Sequence, residues 1–424
     1  MSQTVNGGTA TTIQDAINAE DGGNGTGEVI LTGTFDLGSE TVVVNPQNRP
    51  LTIRGDATTS NTINNGGGTF VNSAPRSSFD IGVPSQVRTM QPVTIKDLVF
   101  TSPRASAIRV LAVSTVVITA CTINGVLSVE HLPDAKDPDD YWAAAGIVVA
   151  IGGQSNPARL AITANKMTIG ATTHQSGQTG AVVLDRTVGI AILAGGSLTV
   201  PVDIMISENS VGVTTAFGVD VRGITGKVLV EGNDIKMGGR IAVSNSSQRV
   251  LPVSGIRCLK SGQYLLRGNT VSCPNFPNLV GIRLVGDSGA PVKWATVEEN
   301  EILLSHFPPR RNFGDGSDCE AGIQITGNAT ENKVRHNTVS GSARSALSVV
   351  TDQTQQLIPN RNSFEGNRHS AFSPADSHIV VGPKVIGTRI IAPEESLSLF
   401  GTPSAGSVIN QGVDTLIAGN YETS

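Results

Sequence analysis

The chain has 424 residues with a formal net charge of −5, 48 glycines, 15% charged and only 4% aromatic residues. That balance gives no bulk positive charge to hold a phosphate backbone, which removes nucleic acid as the main partner. No apolar run approaches the roughly 18 residues of a membrane span and no charged start leads into an apolar signal segment. The expectation is a chain without a membrane span, either cytoplasmic or secreted with its signal removed.

Residues 10–20, ATTIQDAINAE, carry Ile13, Ala16 and Ile17 at helical spacing, with Thr12 placed to cap and Asp15 three positions on. They predict one short amphipathic helix within an N-terminal cap, 1–27. From Glu28 the pattern turns to strand in EVILTGTFDL, ETVVVN and LTIRGD, separated by Gly, Asn and Pro clusters. Residues 57–92 are loop-rich apart from a strand at FDIGV, and VTIKDLVF at 93 opens a regular array.

The array is a repeat. AIRVL at 107, GIVVA at 146, GIAIL at 189, GVDVR at 218, GIRCL at 255, GIRLV at 281 and GIQIT at 322 read as one strand seen again. Each is followed by a second apolar run that usually ends in Asn: VITAC at 117, AITAN at 161, MISEN at 205, VLVEGN at 228, LLRGN at 265, TVEEN at 296 and KVRHN at 333. A third short strand follows, as in DIKM at 234 and TVSC at 270. The polar turn position runs Asp97, Cys121, Asn165, Asn209, Asn233, Asn269, Asn300, Asn337 and Asn367, with Asn420 a candidate last member. Stacked Asn side chains can bond from coil to coil and satisfy polar groups that would otherwise be buried unpaired. Alternation turns Cys121, Cys258 and Cys273 inward, and no cysteine spacing suits a metal.

Three strands per coil with an Asn ladder at the second turn resemble the right-handed parallel β-helix of the pectate-lyase-like superfold. The resemblance implies an all-β fold of three parallel sheets and about 10–12 coils. The helix would cap one end, 28–382 would form the coils, and 383–424 would be irregular closing strands. It also implies a polysaccharide or oligosaccharide in a groove over the first sheet, and a monomer or homotrimer. The fold hosts lyases, hydrolases, epimerases, tailspikes and adhesins, so function must be argued from the site.

Insertions between the third strand and the next first strand, at 125–145, 170–188, 238–254, 273–280 and 304–321, would wall one edge of the first sheet. Alternation points Asp220 and Arg222 outward and gives an outward centre row of Arg109, Val148, Ala191, Asp220, Arg257, Arg283, Gln324 and Ser348. Within it, GVDVR is the copy with an acid. If RIAVS at 240 is itself a first strand, Asp220 and Arg257 stand two coils apart, at roughly 10 Å.

One carboxylate among arginines has a chemical reading. β-Elimination or C5 epimerisation of a uronic acid needs the substrate carboxylate neutralised and a base for the α-proton. Arg222, Arg257 and Arg283 would neutralise, with Gln324 binding beside them; Asp220 would be the base or would orient an arginine. The alternatives are a salt-bridge ladder on an exposed sheet and simple anion binding.

Glycoside hydrolysis is the rival and needs two carboxyls. The outward row offers one, and the second would have to come from the 304–321 loop, from Asp315, Asp318 or Glu320, with His306 and Arg310 as binding residues, although the paired-Asp, GHG and RIK motifs of polygalacturonase-like hydrolases are absent. In the loop 130–142, Glu130, Asp134, Asp137, Asp139 and Asp140 form an oxygen cluster suited to Ca²⁺ or a plain acidic surface. Tyr141 and Trp142 beside them offer rings on which a sugar can stack. The third reading is a non-catalytic binding module such as a phage fibre or adhesin.

Overall fold

Val, Ile and Thr alternate through the repeats, and β-branched side chains pack well on a pleated, half-buried surface. Short strands with every second residue buried result: in Lys227–Glu231, Val228 and Val230 are buried while Lys227 is exposed. The structure is a computed structural model that describes residues 2–23, 25–64, 77–83, 90–101, 106–111, 114–125, 144–152, 158–170, 173–175, 182–184, 187–195, 202–213, 216–238, 253–260, 262–273, 279–304, 321–341, 345–351, 357–370, 377–392, 407–418 and 422–423. The chain forms two compact units, Met1–Ala216 with Ile224–Gly226 and Phe217–Gly223 with Lys227–Ser424.

Each unit is a parallel β-helix. In the first, the sheet of first strands runs Val42–Val44, Ser77–Ile81, Ser106–Val110, Ala144–Gly152, Thr187–Gly195. The second strands Leu51–Gly55, Val93–Lys96, Thr115–Thr119 and Ala158–Thr163 pair in the same order. In the second unit the first strands run Ala216–Arg222, Val253–Leu259, Leu279–Gly286, Ala321–Gly327, Ser345–Val350, Ser377–Val381, Ser407–Asn410, Glu422–Thr423. Parallel pairing of second strands carries on through Arg389–Ile391 and Leu416–Ala418, beyond the position at which the sequence reading ends the regular coils.

The helix spans Ala10–Gly22 and buries Ile13, Ala16 and Ile17. Its cap is Thr9 with Thr12, not Thr12 with Asp15: the Thr9 amide donates to Thr12 Oγ1 at 3.2 Å. A strand missed in the sequence, Gln3–Gly8, precedes the helix and pairs with Glu28–Asp36, so the first coil begins inside the segment read as a cap. The helix also closes a strand edge. Gln14 donates Nε2 to the Val43 carbonyl at 3.0 Å and accepts the Val43 amide at 2.8 Å, occupying groups that would otherwise template another chain.

The Asn ladder is present, with its head shifted by one residue. Leu98, not Asp97, precedes Cys121 in the column, because the Thr122 amide bonds Leu98 O as the Lys166 amide bonds Cys121 O. Asp97 instead takes the left-handed turn position, φ 57°, shared with Ala164, Glu208 and His336. In the second unit Asn269 Oδ1 accepts the Asn233 amide at 3.1 Å and Asn233 Nδ2 at 2.8 Å, while Asn269 Nδ2 reaches Val230 O at 2.9 Å. Asn300, Asn337 and Asn367 repeat the pattern. A second ladder at another corner joins Asn332 to Asn362, with amide-to-Oδ1 and Nδ2-to-Oδ1 bonds of 3.1 and 2.9 Å.

Candidate functional site

Backbone pairing fixes the row over the first sheet of the second unit. Asp220 stands directly beside Arg257, Arg257 beside Arg283, Arg283 beside Gln324 and Gln324 beside Ser348. The strand with Asp220 pairs with the strand carrying Arg257, so RIAVS does not intervene and the steps are single strand spacings of about 4.8 Å. The glycine that recurs at the head of most of these motifs has a local reason. A Cβ on Gly218 would lie 2.3 Å from Ile235 Cγ2 and 2.7 Å from Gly255 O, and Gly255, Gly281 and Gly322 meet the equivalent atoms of Val271, Ile302 and Val339. These glycines let the third strand approach the first, and since the next residue also faces the core, the residue before each glycine faces outward.

That offset places Phe217 on the outward face, where the Arg257 guanidinium lies over its ring at 3.8 Å. Arg257 forks onto Asp220, Nε to Oδ1 at 2.9 Å and Nη2 to Oδ2 at 3.0 Å, and Arg222 Nε reaches Asp220 Oδ2 at 2.8 Å. Both carboxylate oxygens therefore accept guanidinium hydrogens. The cluster is not an exposed surface ladder: Asp220 is 0% exposed, Arg257 2% and Arg222 7%. Exposed ladders of that kind occur on the second strands, where Arg267 pairs with Glu231 and Arg335 with Glu298.

Arg283 is half-buried and donates Nε to Gln324 Oε1 at 3.0 Å. Among the described residues it is the arginine of the row with no carboxylate partner. The hydroxyls of Ser348 and Ser254, 2% and 0% exposed, make no hydrogen bond among the described residues. On the core side, burial pushes the Cys258 thiol well up from its usual range; the nearby Asp220 carboxylate adds to this and Arg257 opposes it. Cys121, Cys258 and Cys273 are buried, as alternation indicates, and form no disulfide among the described residues.

Asp220 is not the row's one acid. Asp80, in the first unit, stands beside Arg109 in register and accepts its Nε at 2.9 Å and its Nη2, with Ser77 Oγ bonded to the same carboxylate. Sequence reading placed FDIGV outside the regular array and so left Asp80 out of the row. Phe217 was missed too, although its signal is present: other copies carry Ser, Val or Ala before the glycine. Tyr141, Trp142, His306, Arg310, Asp318 and Glu320 lie outside the described residues, as does the acidic loop suited to Ca²⁺. Among the described residues no group of three or more His, Cys, Asp or Glu could hold a metal ion, and no helix is long and apolar enough to cross a membrane.

No protein-family model matches the chain, and no curated protein matches it. Among solved structures it is similar to the Dettilon tailspike protein, at 13% identity and a TM-score of 0.51 over 95% of this chain; it spans 64% of the tailspike's length. It is also similar to the Streptococcus pneumoniae surface protein and adhesin PfbA, at 15% identity and a TM-score of 0.50, covering 88% of this chain and 96% of that one. At such identities the likeness is one of fold: the chain is a parallel β-helix protein.

Proposed function

We propose that the protein binds an acidic polysaccharide across the outward face of the first sheet of its second unit. Arg283 is the contact for a uronate carboxylate. The observation that carries this reading is the charge of the row: one carboxylate, Asp220, faces two arginines, and Arg283 adds a third whose partner is the neutral Gln324. The local excess is positive in a chain whose net charge is −5, and a guanidinium whose partner is a neutral amide keeps its charge and its remaining N–H donors for a planar carboxylate. Ser348, one strand beyond Gln324, offers a buried hydroxyl for a sugar oxygen.

Titration with polygalacturonate and polymannuronate, with dextran as the neutral control, tests this. Binding is expected for the acidic polymers only, weakening as salt rises, and Arg283→Ala is expected to lower affinity about tenfold, or ~1.4 kcal/mol. Equal binding of dextran, or unchanged affinity in Arg283→Ala, removes the proposal.

The same excess of arginines favours uronate elimination or epimerisation as a second reading. In that reading Asp220 positions Arg257 and Arg222 rather than removing a proton, because its oxygens are already taken and it is fully buried. The base then comes from another residue. Ultraviolet absorbance of the conjugated double bond on a polyuronate panel detects elimination, and proton NMR of the recovered polymer detects epimerisation; a panel silent in both leaves binding alone.

A further inference from the structure

The largest exposed apolar side chain of the described residues is Trp294, 63% exposed, at the corner after Val292–Lys293, beyond the strand Leu279–Gly286 that carries Arg283. The other large aromatics of the described core, Tyr264, Phe35, Phe79, Phe100, Phe217 and Phe364, are all buried. Trp294 also adopts φ 57°, a left-handed conformation that bulky L residues rarely take. At the same corner of the following coils stand Glu331 at φ 58°, Arg361 at φ 51° and Gly387 at φ 61°, bonded through the backbone as a column. An indole is thus held in an unfavourable backbone conformation at a position where its ring packs nothing into the core.

Its orientation is fixed. The indole Nε1 donates to Glu331 Oε2 at 2.8 Å, and Arg361 Nη1 lies 3.6 Å from Glu331 Oε1. Glu331 and Arg361 cancel in charge, and Arg361, with 71% of its side chain exposed, keeps donors toward solvent. A rigid exposed ring beside a neutralised pair of hydrogen-bonding groups matches a neutral sugar: the apolar C–H face of a pyranose covers the ring and its hydroxyls meet the guanidinium and carboxylate. Column positions follow the strand spacing, so Trp294 to Arg361 spans roughly 10 Å, room for more than one sugar ring.

We infer that Trp294, Glu331 and Arg361 form a saccharide-binding subsite for neutral glycan units, separate from the arginine row. The test titrates cellohexaose, maltohexaose and mannohexaose into the protein and follows tryptophan emission together with calorimetry. At least one is expected to bind and shift the emission. Trp294→Asn, which suits a left-handed position, is expected to abolish both signals although Trp142 remains, without lowering the melting temperature. Arg361→Ala is expected to weaken binding severalfold, and Arg283→Ala to leave it unchanged. The inference is overturned if none of the three sugars binds, if Trp294→Asn binds as tightly as the parent, or if that substitution melts the protein earlier, which would make the ring a packing residue. Because the probes are uncharged, failure here leaves the acidic-polysaccharide proposal standing, and the reverse.

Discussion

Asp220 accepts three guanidinium hydrogens while wholly out of water, and this decides what its removal does. Two arginines that are nearly as buried would be left without a countercharge, and breaking one partner out of a buried ionic cluster costs about 3–5 kcal/mol. Asp220→Ala is therefore expected to lower the unfolding free energy by that order, whereas Arg283→Ala, at a half-buried site with a neutral partner, stays within about 1 kcal/mol of the parent. Urea unfolding of the two variants side by side checks this; equal stability would show that the cluster contributes only local geometry. The sequence showed that Asp220 and the arginines share a face. It did not show that the Asp220 cluster is closed to water while Arg283 is only half-buried, because alternation reports which way a side chain points and not what covers it.

Among elements, the two ladders explain why the repeat is legible and where its reading slips. Asn recurs because its amide satisfies a neighbouring coil on both sides, and Asn269→Ala strands the Asn233 amide and the Val230 carbonyl, at roughly 1–3 kcal/mol for each group left unpaired. Where the column lacks Asn, the register is harder to see: Leu98 and Cys121 carry no amide, so the polar Asp97 next door drew the alignment by one residue. The second ladder escaped notice because it has only two Asn rungs. Its next position, buried Thr388, leaves Oγ1 without a hydrogen bond among the described residues. Thr388→Asn is expected to accept the Asn362 amide and raise the melting temperature, while Asn269→Ala lowers it; differential scanning calorimetry of both, on the same preparation, distinguishes a ladder that stabilises from one that merely recurs.

For the molecule as a whole, the buried thiols couple stability to pH. Burial raises Cys121 from its ordinary 9.0 to about 12, and Cys258 and Cys273 shift in the same direction. Below the ordinary thiol pKa both folded and unfolded chains are protonated and nothing is lost. Above it the unfolded chain ionises while the folded one resists, so stability falls between 9.0 and about 12 for Cys121, by about 1.4 kcal/mol per pH unit. Denaturant midpoints measured across that window should decline, and less steeply in Cys121→Ala; an unchanged slope would assign the decline to other groups such as buried Tyr264. The fold was legible at this scale because every coil repeats the same solution to burial. The site was less so, since its chemistry rests on neighbours brought together by pairing, as Phe217 is with Arg257 and Asp80 with Arg109, and such pairs are remote in sequence.

The glycine row has a consequence for how such a chain can change. With Gly255, Gly281 and Gly322 leaving no space between first and third strands, the width of each coil is fixed and cannot be traded for new side chains. Length is added between strands instead, above all at the connection that leaves the third strand, where it already differs widely: Gly341 is followed closely by Ser345, whereas Leu304 and Ala321 are separated by a long stretch. New specificity can be grafted onto one rim, coil by coil, over a frame that does not have to be renegotiated.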